Sequence, residues 1–272
     1  MNAETLFSVI LPTFNRPDLL AEAVKSVLGQ TLPDFELLVV DDGSDQSVGL
    51  PNDERIRLIT LDRNYGPAAA RNAALRIARG RYLTFLDDDD VFTADRLELA
   101  LQGLAGAPIA LCWGRFSDGP DRGGRVLEGD TTHSILDGPT PCLGYGAVRR
   151  ELAVEFDERW HAVEDIVWWL QMSSVAPVTT VRRVGYLVRR HEGPRGRNDL
   201  QTRLDENLIF HVEYDDYLDR HPAARAYRLK RIGLLALALD DLRTARSAFA
   251  RSLRYGLQTR TAWHLARSLV RW

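Results

Sequence analysis

The 272-residue chain is predicted to fold as an α/β protein: a largely parallel central sheet flanked by helices, followed by a helical C-terminal extension. Three observations carry this expectation. Short apolar runs alternate with stretches of helical periodicity from Phe7 to Leu104, the pattern of consecutive βαβ units. Two of those runs end in carboxylates, at Asp41-Asp42 and at Asp87 to Asp90. From Leu200 onward the apolar residues recur only at helical spacing.

Phe7-Ser8-Val9-Ile10-Leu11 reads as the first strand, stopped by Pro12, and Thr13 to Pro17 has loop chemistry. Asp18 is placed to cap a helix carrying Leu19, Ala23, Val24, Val27 and Leu28, which ends at Gly29. Phe35 to Val40 is a second strand and Arg55 to Thr60 a third. Gly66-Pro67 opens an alanine-rich helix running to Ala78 and closed by Gly80. Tyr82 to Leu86 is a buried strand that runs into Asp87-Asp88-Asp89-Asp90, and a helix follows from Asp95 to Leu104. Beyond Pro108 the texture changes. Ile109 to Trp113 and Leu143 to Val148 read as strands, the second with glycines that allow a ligand or another backbone to approach closely. The glycine- and charge-rich stretch from Ser117 to Gly129 reads as a mobile loop. Glu164 and Asp165 begin a helix marked by Ile166, Trp169 and Leu170, and Val178 to Val188 reads as a pair of strands. The organisation expected is a first half over 1–108 and a second half over 109–198 of one domain, with the helical extension over 199–272.

A net charge of −3 gives no electrostatic argument for nucleic acid. Cys112 and Cys142 are the only cysteines and lack metal-ligand spacing, and no secretory leader is evident, so reduced thiols in a cytoplasmic protein are expected. No apolar run approaches the ~20 residues that span a bilayer. A P-loop is absent, and Gly144-Tyr145-Gly146 lacks the third glycine of a dinucleotide fingerprint.

Four adjacent carboxylates repel one another unless something neutralises them, and a hard divalent cation with oxygen ligands would do so. A solvated acidic turn or a cluster capping the next helix is the alternative. What favours a ligand is position, since open α/β sheets bind ligands at the carboxyl ends of their strands. Both acidic clusters would share that edge.

Ser8 to Arg16, Val39-Val40-Asp41-Asp42-Gly43-Ser44, Asn64 to Asn72, Phe85 to Asp90, and Glu164-Asp165 before a tryptophan-rich helix together resemble, in order and spacing, family 2 glycosyltransferases of the GT-A fold. The resemblance covers about residues 5–195. It implies a nucleotide-sugar donor (UDP-sugar foremost), a divalent metal (Mn²⁺ or Mg²⁺), inversion at the anomeric carbon, and a carbohydrate, lipid-linked or peptide acceptor. On this chain's residues it implies Pro12, Phe14 and Asn15 at the nucleotide, Phe14 stacking near the base. Asp42 would read the uracil edge and Arg71 would contact the nucleotide. Asp87 and Asp88 would lie toward the ribose, Asp89 would be the direct metal ligand, and His191 would join the metal and diphosphate. Asp165 would be the general base. Val163 replaces the small residue common before the Glu-Asp pair, and the four-aspartate run leaves the division of roles between Asp87 and Asp88 open.

Two other readings compete: a nucleotidyltransferase, disfavoured by the missing glycine- and lysine-rich phosphate loop, and a catalytically silent sugar-nucleotide-binding scaffold. The tail matches no family motif. From Leu242 to Trp272 there are seven arginines and no Asp or Glu. Its helices are expected to pack on the protein or form a homodimer, or else to lie on the inner face of a membrane through a basic amphipathic surface.

Overall fold

The computed structural model describes residues 5–120, 123–190, 199–256 and 259–270. The chain divides into two compact units. The first comprises Met1–Thr131, Pro141–Arg159 and Val167–Gly193, and the second Thr132–Thr140, Trp160–Ile166 and Pro194–Trp272.

The first unit is built on one sheet. Its strands are β1 (Phe7–Thr13), β2 (Phe35–Asp41), β3 (Ile56–Thr60), β4 (Tyr82–Phe85), β5 (Asp90–Phe92), β6 (Ile109–Phe116), β7 (Gly146–Arg149) and β8 (Val178–Val188), in spatial order β3-β2-β1-β4-β7-β6-β8-β5. β1 pairs in parallel with β2 and β4, and β2 with β3, so Thr13, Asp41 and Thr60 come into register at one edge. This is the parallel α/β sheet expected from the alternating pattern. β7 departs from it, running antiparallel between β4 and β6. Phe7, Val9, Leu11, Leu37 and Val39 are fully buried against Leu20, Ala23, Val24 and Val27 of helix α1 (Pro17–Leu28). Helices α2 (Pro67–Leu75) and α3 (Arg96–Leu104) complete the early βαβ units.

Several local expectations are corrected. α1 starts at Pro17, whose fixed φ and missing N–H suit a first helical position; Asp18 lies in the first turn and Arg16 holds the cap position without a side-chain cap bond. α2 stops at Leu75, short of Ala78. Val178 to Val188 is one strand whose centre, Arg182-Arg183, is exposed and so interrupts the apolar pattern. β5 is three residues long and begins with a carboxylate, which hid it from pattern reading. Leu143–Tyr145 is a 3₁₀ turn ahead of a shorter β7. Its glycines make room for rings: a Cβ on Gly144 would sit 1.9 Å from Tyr186, and one on Gly146 2.5 Å from Trp169. The close approach inferred from small residues is therefore to aromatic packing. Arg96, 1% exposed, closes this region by donating to the carbonyls of Gly144 and Gly146.

Helix α4 (Glu164–Val175) crosses the division between the units. The second unit otherwise contains α5 (Leu200–Glu213), α6 (Asp215–Arg220), α7 (Pro222–Ala238), α8 (Leu242–Arg254) and α9 (Thr259–Val270). Its core joins Leu204 of α5, Ile232, Leu235 and Ala236 of α7, and Ala245, Ala248 and Phe249 of α8. Among the described residues, no helix is long and apolar enough to cross a membrane.

Candidate active site

The acidic run leaves β4 as a tight turn, closed by the Asp90 N–H on the Asp87 carbonyl at 3.1 Å. Carboxylate oxygens of Asp87, Asp89 and Asp90 lie within 4.8 Å of one another. Asp88 turns to a different set of partners, accepting from Thr13 Oγ1 and from Arg16, both at 2.8 Å. The convergent triplet is thus 87-89-90, whereas the resemblance assigns Asp89 to the metal and Asp87 and Asp88 to the ribose side. Asp90 was missed because it opens β5, an element too short to read.

The protein itself offsets much of the repulsion inside the run. Arg71, 3% exposed, donates to Asp87 at 2.8 Å. Arg16 bridges Asp88 and Asp89 at 2.8 and 3.3 Å. Arg189, at the end of β8, donates from its guanidinium to the carbonyls of Asp88 and Asp89, both at 2.9 Å, to the Leu19 carbonyl at 2.9 Å and to Glu22 at 2.6 Å. Its backbone N–H reaches Asp90 at 2.9 Å, and Tyr186 donates its hydroxyl to the other Asp90 oxygen at 2.8 Å. A planar guanidinium suits this multipoint grip better than an ammonium would. Burial, followed by the charges of Asp87 and Asp89, pushes the Asp90 carboxyl up to about 7. Burial also raises Asp88, with Arg16 pulling the other way. Neither Arg16 nor Arg189 was singled out from sequence as a site residue. Arg16 sat inside a quoted motif, while Arg189 lies roughly a hundred residues from the turn it holds.

Around this turn the strand-end loops are tied together. Asp42, 4% exposed, accepts the N–H groups of Tyr65 and Gly66 at 2.8 Å each. Its carboxyl is raised by burial, and the two amide bonds oppose that rise. Asn15 has φ 53°, the left-handed region that asparagine tolerates better than most residues. Its side chain exchanges hydrogen bonds with Asp45, and its N–H reaches Ser44 Oγ. Pro12 is half-buried on β1 in register with Val40, and Phe14 is 39% exposed. The structure therefore brings Pro12, Phe14, Asn15, Asp42, Arg71 and the four aspartates to the carboxyl edge of the parallel strands. Hard oxygen donors within 4.8 Å fit a divalent cation of the magnesium or manganese kind.

Asp165 belongs to the second unit. The turn before it is held by one side chain: Glu206 of α5 accepts the N–H groups of His161, Ala162 and Val163, the shortest at 2.8 Å from Ala162. A carboxylate that collects several backbone N–H groups at a helix start also favours the helix dipole. Glu206 was not legible as a positioning residue, because it sits on a helix whose sequence looks merely polar. His191, with the loop 192–198 expected to close over the donor, lies outside the described residues.

Residues 8–137 match the model of glycosyl transferase family 2. The match takes in 130 of the chain's 272 residues. Escherichia coli WfgD, a UDP-Glc:alpha-D-GlcNAc-diphosphoundecaprenol beta-1,3-glucosyltransferase, is 36% identical over 115 residues, which cover 41% of this chain and 46% of the relative. The chain spans less than half the length of the curated relatives it matches. Among solved structures, S. aureus TarS 1–349 in complex with UDP-GlcNAc has a TM-score of 0.69 at 18% identity, covering 96% of this chain and 84% of that one. The mannosyltransferase PcManGT from Pyrobaculum calidifontis, in complex with GDP-Man and Mn²⁺, has a TM-score of 0.61 at 21% identity, covering 97% and 79%. The fold is the GT-A fold of these transferases, and the stretch that matches the family 2 model spans the parallel strands and the acidic turn.

Proposed function

We propose that this chain is an inverting glycosyltransferase that moves a sugar from a UDP-sugar to an acceptor hydroxyl in polysaccharide or glycolipid synthesis. The observation that carries the reading is the convergence of Asp87, Asp89 and Asp90 at the end of β4, beside Arg16 and Arg71. Asp89 and Asp87 would hold a divalent cation, and Asp90 is gripped by Tyr186 and Arg189 so that the turn keeps its shape. When bound there, the cation supplies Lewis-acid stabilisation to a diphosphate leaving group. The family 2 match and the UDP-sugar named for one relative support the donor class.

In this reading the acceptor oxygen forms its bond to the anomeric carbon as the bond from that carbon to the diphosphate oxygen breaks. The hydroxyl proton passes to the Asp165 carboxylate, and the nucleoside diphosphate leaves with the bonding pair. A carboxylate suffices as base when it is positioned on the attacking hydroxyl. Asp42 holds the loop at Tyr65-Gly66 and keeps oxygen lone pairs with which to read a base edge. Arg71 fixes Asp87 and would contact the nucleotide.

The test is a panel of UDP-, dTDP- and GDP-sugars, scored for donor hydrolysis and thermal shift with Mn²⁺, with Mg²⁺ and with EDTA. Metal-dependent release of UDP from a UDP-sugar is expected. Hydrolysis that survives EDTA would remove the metal from the proposal. Selective turnover of a GDP- or dTDP-sugar would reassign the base recognised.

A further inference from the structure

Helix α7 of the second unit buries two arginines, Arg225 and Arg228, each 4% exposed. They are compensated differently. Arg225 is paired with Asp215 and Asp219, both at 2.8 Å. Arg228, three residues on, has no carboxylate within salt-bridge distance among the described residues. A terminal nitrogen of its guanidinium donates to Thr140 Oγ1 at 2.6 Å, and its Nε is buried without a hydrogen-bond partner. Burying a guanidinium without a paired anion is costly. One bond to a hydroxyl does not require a charge, since a neutral amide could make it.

The surroundings of Arg228 show what the charge serves. The second unit takes in two segments that lie far from its helices in sequence, Thr132–Thr140 and Trp160–Ile166. Its helices hold both. Tyr217 of α6 donates to the Thr132 carbonyl at 2.7 Å, Arg228 holds Thr140 at the other end of the first segment, and Glu206 of α5 collects the amides of the second. Asp165, 8% exposed, stands at the end of that second segment. It is the carboxylate whose charge acts most strongly on Arg228. Burial pulls the guanidinium down to about 10; Tyr227, Asp165 and Tyr217 oppose that fall, and Arg231 adds to it. Arg228 therefore stays protonated at neutral pH.

We propose that Arg228 is a positioning residue for Asp165, a buried fixed cation that keeps the carboxylate ionised for proton uptake while tying Thr140 to α7. The inference rests on the reading of Asp165 as the general base. A base must be ionised to accept a proton, and a nearby positive charge favours the ionised form. A direct ion pair would occupy a carboxylate lone pair that the attacking hydroxyl needs. A charge held beyond contact distance does not, and in a buried setting it still acts across several ångströms.

The test uses the full chain and follows UDP release from the UDP-sugar that the donor panel selects, with water as the acceptor. Arg228→Met keeps much of the buried volume without the charge, so its melting temperature should hold. Its kcat should fall about tenfold or more, with KM for the UDP-sugar and calorimetric UDP affinity unchanged. Arg228→Lys keeps a charge and should recover most of the lost turnover, which a packing role would not require. Added to Asp165→Asn, Arg228→Met should cost nothing further, because coupled residues are not additive. A readout independent of activity is the Arg228 Nε–H resonance, assigned by its loss in Arg228→Lys, which should shift in Asp165→Asn. An Arg228→Met variant as active as the unsubstituted chain, an additive loss in the double variant, or an unshifted Nε–H signal would overturn the inference and leave the base reading standing. Full turnover in Asp165→Asn would overturn the base reading and this inference with it.

Discussion

Asp89 bears the charge on which the proposed chemistry depends, and its neighbours show how a run of four carboxylates is kept folded. The argument from repulsion alone calls for an external cation, yet Arg16, Arg71 and Arg189 already surround the turn. A bound cation would then meet a turn that is preshaped. Asp89→Ala removes one negative charge from a cluster still served by these arginines. It should keep its fold and melting temperature while losing Mn²⁺-dependent UDP binding, as measured by calorimetry with and without EDTA. Full donor hydrolysis in this variant would refute the metal assignment. Arg189→Lys should behave in the opposite way. It keeps the charge but cannot reach three carbonyls and Glu22 at once. Leaving buried acceptors unpaired costs about 1–3 kcal/mol per group, so a lower midpoint in urea is expected even without metal. An unchanged midpoint would show that the grip on the turn is dispensable.

At the level of elements, β1, β2 and β4, which position the site, were legible because each is an almost wholly buried apolar run that ends abruptly. β1 and β2 end at Thr13 and Asp41 within two residues of where the pattern broke. The site's carboxyl edge followed from the parallel order. Elements that depend on distant partners were not legible. β5 exists because Asp90 to Phe92 pairs with Tyr186 to Val188, and three residues carry no period of their own. β7 runs antiparallel because its neighbours β4 and β6 accept it in that direction, which no local pattern reports. The turn before α4 is of the same kind: its amides are collected by Glu206, about forty residues downstream. Glu206→Gln should loosen that turn while leaving the donor strands intact. If Asp165 is the base, turnover should fall by roughly 10²-fold with UDP affinity unchanged, as in Asp165→Asn. A loss of UDP affinity in either variant would assign the segment to donor binding instead.

Across the molecule, the tail's basic helices do more than present charge. α8 buries Ala245, Ala248, Phe249 and Ser252, and the Phe249 ring fills the space over Gly233 of α7, where a Cβ would lie 2.5 Å from it. Arg246 donates to the Ser268 carbonyl of α9 at 2.8 Å. These contacts support packing for α8. They also mean that cutting the chain after Asp241 would strip the cover from Ile232, Leu235 and Ala236, so a truncation cannot report on surface binding alone. The surface question belongs to α9, where Trp263 and Leu269 are 56% and 54% exposed and Arg267 lies over the Trp263 ring at 5.3 Å. Two substitutions separate the roles. Phe249→Ala empties a fully buried site and should cost about 3–5 kcal/mol, read as a lower midpoint in denaturant. Trp263→Ser lies on the solvent face and should move stability by no more than about 0.5 kcal/mol. If the tail docks on membranes, Trp263→Ser should weaken co-sedimentation with anionic vesicles at low salt, a contact that high salt also weakens because it screens the arginines. Co-sedimentation unaffected by either change, or absent from the unsubstituted chain, would leave the tail a packing element only.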